Sequence, residues 1–448
     1  MIRDILKKEL LENIFGFRFV FSFLIFTSII FLVVFLRLEQ YQKDLDDWKT
    51  RVNSQEEFLK KYAHYRRISA VAMPHLPPSK MEPIVSEIPV DLTKFRPVET
   101  LFDNPIKIMG KEADLIFVFF VIGSLVVIVL SYDSFSREKE MGTISLLFSN
   151  SIRRSTFTIG KIFGTFVTSS LPLLNSILII SILIAVRKDI GWRFLEWTSF
   201  FSIIVITFFY LLVFSVLSNA ISILTKNSIT SILTLLFIWI FFNLIIPNFS
   251  PFISEILFKT PTSSQINKLI EKIDEERDKE LKKEFKKYVS EGYTDAQAWK
   301  MGDLEKINQK YLEKIYKIQR DFEIKVKVQL FLSKNLSCIS PTASFIYATK
   351  ELSGAGFSRI NWVQNQFQSW KETALDYLEK KKEEMMRNNP NYTFDDFIDV
   401  SDGPRFFYKE QIFSDRIKNA LPYILLILFY AVVFFYLSLI LINRADVR

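Results

Sequence analysis

The chain is poor in the side chains that carry most protein chemistry. It holds one cysteine, Cys338, and two histidines, His64 and His75, among 448 residues. A lone cysteine forms no intrachain disulfide, so packing alone must hold the folded parts, and the thiol reads as structural. The histidines lie at the proline-rich stretch Met73-Pro74-His75-Leu76-Pro77-Pro78, which favours extended backbone and brings too few ligands together for a metal. The G-x-x-x-x-G-K-S/T phosphate loop, H-E-x-x-H and G-x-S-x-G are also missing, so no catalytic residue, cofactor site or metal site is expected in this chain.

What the chain has instead is apolar runs. About six segments meet the roughly 20-residue length that crosses a bilayer as a helix. They are residues 15–36, 115–132, 158–186, 198–224, 229–249 and 421–442, rich in Phe, Ile and Leu. Carboxylates are absent from these runs, which argues against proton or sodium coupling, and energy must come from elsewhere. The polar residues Asn175, Asn219 and Asn243 do fall there, as candidates for a pathway or for bonding between helices.

Charge is concentrated in residues 38–113 and 251–418, two polar insertions in a chain that is 49% hydrophobic and 24% charged. The net charge of +8 raises nucleic acid as a partner, but acidic and basic residues alternate without forming one basic face, and no nucleic-acid binding is expected. Arg3, Lys7, Lys8, Arg18, Arg137, Lys139, Arg153, Arg154, Lys161, Lys226, Arg444 and Arg448 fall on one side of the runs, against Arg187, Lys188 and Arg193 in the opposite short loop. The positive-inside rule then puts both termini and the 133–161 segment in the cytoplasm and both insertions outside. The first run is too long for a signal-peptide core, and no small-x-small site follows Leu36, so it is expected to stay uncleaved. Ahead of it, Ile5, Leu6, Leu10 and Ile14 recur at helical spacing opposite Arg3, Asp4, Lys7, Lys8 and Glu12, the pattern of an interfacial helix.

The expected fold is an all-α polytopic membrane protein with six transmembrane helices. An amphipathic interfacial helix occupies 1–14, the first span 15–37, an extracytoplasmic insertion 38–113, spans two to five 114–250, a helical extracytoplasmic insertion 251–418, and the last span with a cytoplasmic tail 419–448. In the larger insertion, Ile266, Leu269, Ile270, Ile273, Leu281, Phe285 and Tyr288 form one apolar stripe, and Leu304, Ile307, Tyr311, Ile315, Ile318, Phe322 and Val326 another, with a turn between Gly292 and Gly302. Arms of about 25 residues would reach roughly 40 Å as a paired stalk. A third stripe runs through Ile360, Val363, Phe367, Trp370, Ala374 and Leu378.

Between the second and third runs lies a charged island, 133–161. It interleaves Asp133, Arg137, Glu138, Lys139 and Glu140, turns at Gly142-Thr143, passes through Ile144, Leu146, Leu147 and Phe148, and closes on Arg153-Arg154 before Gly160-Lys161. The order of interfacial helix, span, outer insertion, a span ending in Tyr132-Asp133-Ser134-Phe135-Ser136-Arg137-Glu138-Lys139-Glu140-Met141-Gly142-Thr143, and this island resembles the permease subunit of type-two ABC exporters. Leu336 to Pro341 and Leu352 to Gly356 are similar to the segment before the last span in the subgroup with large outer domains, which includes permeases of copper-enzyme maturation and gliding motility. The resemblance implies that 133–150 is a coupling helix, with Arg137, Glu138, Glu140, Met141, Gly142, Thr143, Ile144 and Leu147 engaging a cytoplasmic ABC ATPase present in two copies. ATP and Mg would reside on that ATPase. It further implies a second permease, identical or paralogous, a bacterial inner-membrane location, and export driven from the ATPase; an extracytoplasmic protein is the further partner the outer domains suggest. The alternative is force transmission to that outer partner without transport. A scaffold lacking any ATPase is the third reading.

Overall fold

The computed structural model describes residues 2–62, 75–87, 114–149, 153–187, 189–292, 302–388, 399–400 and 402–444. His64, most of the first insertion, Asn150, Lys188, the turn between Gly292 and Gly302, and Arg448 lie outside the described residues. The described residues are helical, without strands, and contain six helices long and apolar enough to span a membrane. These spans are Phe17–Lys60, Leu115–Glu140, Arg154–Val186, Phe194–Leu224, Ser228–Leu257 and Phe413–Arg444. Contacts group the chain into two compact units, one of the described residues up to Pro247 and from Cys338 onward, the other Asn248–Ser337.

In the first unit, spans two and four form the centre, each with 67% of its apolar window buried, whereas spans one, five and six bury 22% or less. The outer three therefore keep apolar faces such as Leu24, Phe237 and Phe429 uncovered by this chain, as lipid-facing helices must. Phe26, Phe119, Leu173, Phe214, Leu235 and Ile427 bring all six spans into one core. The N-terminal helix Ile2–Ile14 packs along span three, and Gly164 permits the approach: a Cβ there would fall 2.8 Å from the Glu9 side chain.

The first span continues without a break to Tyr62, a helix of 46 residues and about 69 Å. Past Leu36 the stripe Leu38, Tyr41, Leu45 keeps the three-to-four spacing, so burial holds the helix where hydropathy falls away. Spans two and five each contain a π-helical turn, Val118–Gly123 and Phe241–Ile245. In span five Pro247 follows the turn; its ring lacks an N–H and crowds the preceding carbonyls. Released carbonyls find side chains: Phe242 O accepts from Ser340 Oγ, and Phe120 O from Tyr210 OH at 3.1 Å.

Residues after Cys338 re-enter the core of the first unit. Ser340 caps the helix Pro341–Ser353 through the amides of Thr342 and Ala343, and all 13 of its residues are buried. The helix stops at Gly354, whose φ of 77° favours glycine and where a Cβ would come within 2.7 Å of the Arg416 guanidinium. The third stripe forms the helix Phe357–Asn388, burying Ile360, Val363 and Phe367.

The second unit contains a helical hairpin, Ser263–Ser290 against Gly302–Ser337. Thr262 and Gln265 make a reciprocal capping box at its start. Ile266, Phe322 and Val326 pack in one cluster and Tyr288 and Leu304 in another, while Leu269 departs from the expected stripe and is 44% exposed. Tyrosines bridge the arms, Tyr288 donating to Asp303 at 2.8 Å and Tyr311 to Glu280 at 2.6 Å.

Candidate functional site

The island folds as two short helices, Ser136–Glu140 and Thr143–Ser149, joined at Gly142 with φ 67°. Left-handed backbone at that turn is cheap only for glycine. Ser222 of span four begins the first helix: its hydroxyl accepts from the amides of Phe135 and Ser136 at 2.9 and 3.0 Å. These donors are otherwise orphaned at a helix start.

Most of the island's charges turn inward onto the ends of the spans. Asp133 pairs with Arg18 of span one at 2.8 Å, and that guanidinium lies 4.9 Å over the Tyr132 ring. Glu138 and Glu9 both pair with Lys161 of span three, at 2.8 and 3.2 Å, and the lysine is 4% exposed. Its ammonium also lies 5.6 and 5.3 Å from the Phe135 and Phe157 ring centres. Burial pushes the Glu9 carboxyl up against the pull of Lys161. Lys139 donates to the carbonyls of Ile223 and Thr225, where span four ends, the second at 3.1 Å. Glu140 accepts from the amide and hydroxyl of Ser228, where span five begins, at 2.8 and 2.9 Å. Each charge has the sign the helix end requires, cation at the C-terminus and anion at the N-terminus. Phe135 and Phe157 share a cluster with Ile223 and with Ile442 of span six, against which Leu147 and Phe148 pack. Arg154 donates to Ile442 O and Asn443 O at 3.1 and 3.3 Å. Thus one short segment is tied to the N-terminal helix and to all six spans.

Among the residues singled out from the sequence, Glu138 and Glu140 hold these internal bonds, Ile144 is buried, and Leu147 packs on the core. Thr143 donates back to Glu138 O at 3.2 Å. Arg137, Met141 and Gly142 are exposed, Met141 by 58% together with Leu146 by 67%. The three asparagines bond between helices: Asn175 to Thr27 at 3.1 Å, Asn219 to Thr165 at 3.2 Å, and Asn243 to Thr342 at 3.1 Å. Sequence reading missed the lysine-centred triad. A lysine inside an apolar run, seven residues after the basic pair, is the signal that was there to use.

The described residues are thus those of a polytopic helical membrane protein whose span ends converge on one charged segment. The chain belongs to the ABC-2 family of transporter proteins, whose family model matches residues 3–447. No curated protein matches it. It is accordingly a transmembrane permease of an ABC transporter, a multi-pass membrane protein whose family works with an ABC ATPase. Among the described residues no cluster of three or more metal-type ligands occurs.

Proposed function

We propose that this chain is the permease half of an inner-membrane exporter, driven by two cytoplasmic ATPases that dock on the 133–150 island, with a second permease copy or paralogue completing the pore. The carrying observation is the division of the island into two faces. Its outward face presents Arg137, Met141 and Leu146, and large exposed apolar side chains beside a charge are what a partner's groove takes up. Its inward face holds the span ends through Glu138, Lys139 and Glu140. A push on the first face is delivered to the second because the connecting pieces are short helices and ion pairs; a loop would absorb it. Closure of the ATPase dimer on nucleotide would then tilt the spans between two states. Both termini are cytoplasmic in this reading. The force-transmission alternative gains no support from these findings.

The test is Met141→Asp with Leu146→Asp in the full-length chain. Co-purification of the ATPase should fall at least about ten-fold while membrane insertion is unchanged. Unaltered co-purification and unaltered stimulation of ATP hydrolysis would remove the island from the coupling role.

A further inference from the structure

At the other end of the same spans, residues Ser79 to Glu87 form a tight turn that reaches five separate elements. Met81, Ile84 and Val85 are 1% exposed or less and belong to the main core. Around them, polar contacts bolt the segment down. Arg37 of the first span's helix donates to Glu82 O at 2.8 Å. Ser86 gives its amide and hydroxyl to Asp114, at 3.0 and 2.8 Å, where Asp114 caps span two. Trp192, in the loop between spans three and four, donates to Lys80 O at 2.7 Å, and Lys80 Nζ donates to Gly191 O at 3.2 Å. Lys350, on the buried helix Pro341–Ser353, donates to Ser86 O at 3.4 Å. Arg359, on the helix Phe357–Asn388, pairs with Glu87 at 2.7 Å. A nine-residue strap thereby ties together elements that any opening of this end must separate.

We propose that this strap is a proton-controlled latch, closed while the Glu82 carboxyl is neutral and loosened when that carboxyl ionises. The geometry leaves the ionised form poorly compensated. Arg37 is 3.9 Å from the Glu82 carboxylate and makes its shorter contact to the backbone carbonyl, a bond indifferent to the proton. Arg359 pairs with Glu87 and stacks 5.8 Å over Tyr408. Glu87 and Asp44 face Glu82 with like charge, and Tyr41 lies within electrostatic reach of Glu82, Glu87, Glu410 and Asp189. Burial, then Glu87, lift the Glu82 carboxyl to about 7 against the opposing pull of Arg37. A carboxyl raised in the closed form and ordinary in the open form makes closure strongest in acid, and closure weakens as pH rises from the ordinary value of 4.5 through about 7. Between about pH 6 and pH 8 that difference multiplies the open fraction about ten-fold.

Ile84, within the strap, is fully buried in the core while the strap is closed, so a thiol placed there reports opening. The full-length chain carrying Cys338→Ala and Ile84→Cys would be labelled with a maleimide at both pH values, with and without Glu82→Gln. The glutamine variant supplies the intrinsic rise in thiol reactivity. The rate ratio of parent to Glu82→Gln should grow about ten-fold from pH 6 to pH 8. An unchanged ratio overturns the latch. Should Ile84→Cys fail to fold, hydrogen exchange of the 79–87 amides in the wild-type chain gives the same comparison: Glu82→Gln slows exchange at pH 8 if the latch exists, and equal exchange refutes it.

Discussion

The two ends of the span bundle solve the same problem with opposite chemistry. Both gather helix termini around a short polar segment. At the island, each carboxylate meets a lysine, an arginine or a helix N-terminus, at 2.8 to 3.2 Å. At the strap, two half-buried carboxylates repel each other: Glu87 has Arg359 at 2.7 Å, whereas Arg37 comes no closer than 3.9 Å to the Glu82 carboxylate and makes its 2.8 Å contact to a backbone carbonyl. The island's acids are therefore each held by a cation or a helix end. The strap is a joint whose strength depends on a proton, because ionising Glu82 adds a charge where burial and a like neighbour oppose it.

The largest effect should come from breaking the island's centre. Lys161→Met leaves Glu9 and Glu138 buried without their cation, at a cost of about 3–5 kcal/mol in thermal unfolding of the detergent-solubilised chain. Adding Glu9→Gln and Glu138→Gln should recover most of it; no recovery would mean that Lys161 acts through packing alone. Next, Gly354→Ala at the strap's end of the bundle forces a left-handed alanine against Arg416 and should cost about 2 kcal/mol by the same measurement. Third, Arg359→Met strips Glu87 of its partner, whose carboxyl burial already lifts above the ordinary range. The folded chain then favours the neutral acid still more, so the loss should be greater at pH 8 than at pH 6. A pH-independent loss would erase the contrast between the two ends. Smallest, Glu140→Gln weakens the charge at the start of span five by about 0.5 kcal/mol in the same measurement.

Much of the architecture was legible before any coordinates. Apolar runs of span length, the amphipathic stripe before Phe17 and the paired stripes of the hairpin each follow from hydrophobic periodicity, which is a local property of the chain. The helix Phe357–Asn388 was legible for the same reason. Extension of the first helix to Tyr62 was harder to see, because its apolar residues there are spaced for burial and separated by charges. In the island, the sequence marked a charged segment but not the bonds its acids make within the chain. Glu138 and Glu140 look alike in a string of charges; only the positions of Lys161 and Ser228 reveal that the first is a largely buried strut and the second an exposed tie to the start of span five. The strap carried no motif. Lys80 to Glu87 has neither periodicity nor a turn signature strong enough to announce contacts with residues more than 100 or 200 positions away, such as Trp192 and Lys350.

By itself the sequence determined that this protein spans a membrane with a bundle of helices and carries a charged segment between the second and third spans. Hydropathy and periodicity act over a few turns, and solvent alone enforces them. Tertiary structure decided which charges stay exposed and which hold the spans, because a buried ion pair is defined by two residues distant in sequence and by the water excluded around them. It also decided that the helix Pro341–Ser353, polar enough to pass for an outer segment, lies wholly buried: Thr342 and Lys350 are tolerated there because neighbouring elements supply their hydrogen bonds, and Ser344 because it donates back to Ser340 O.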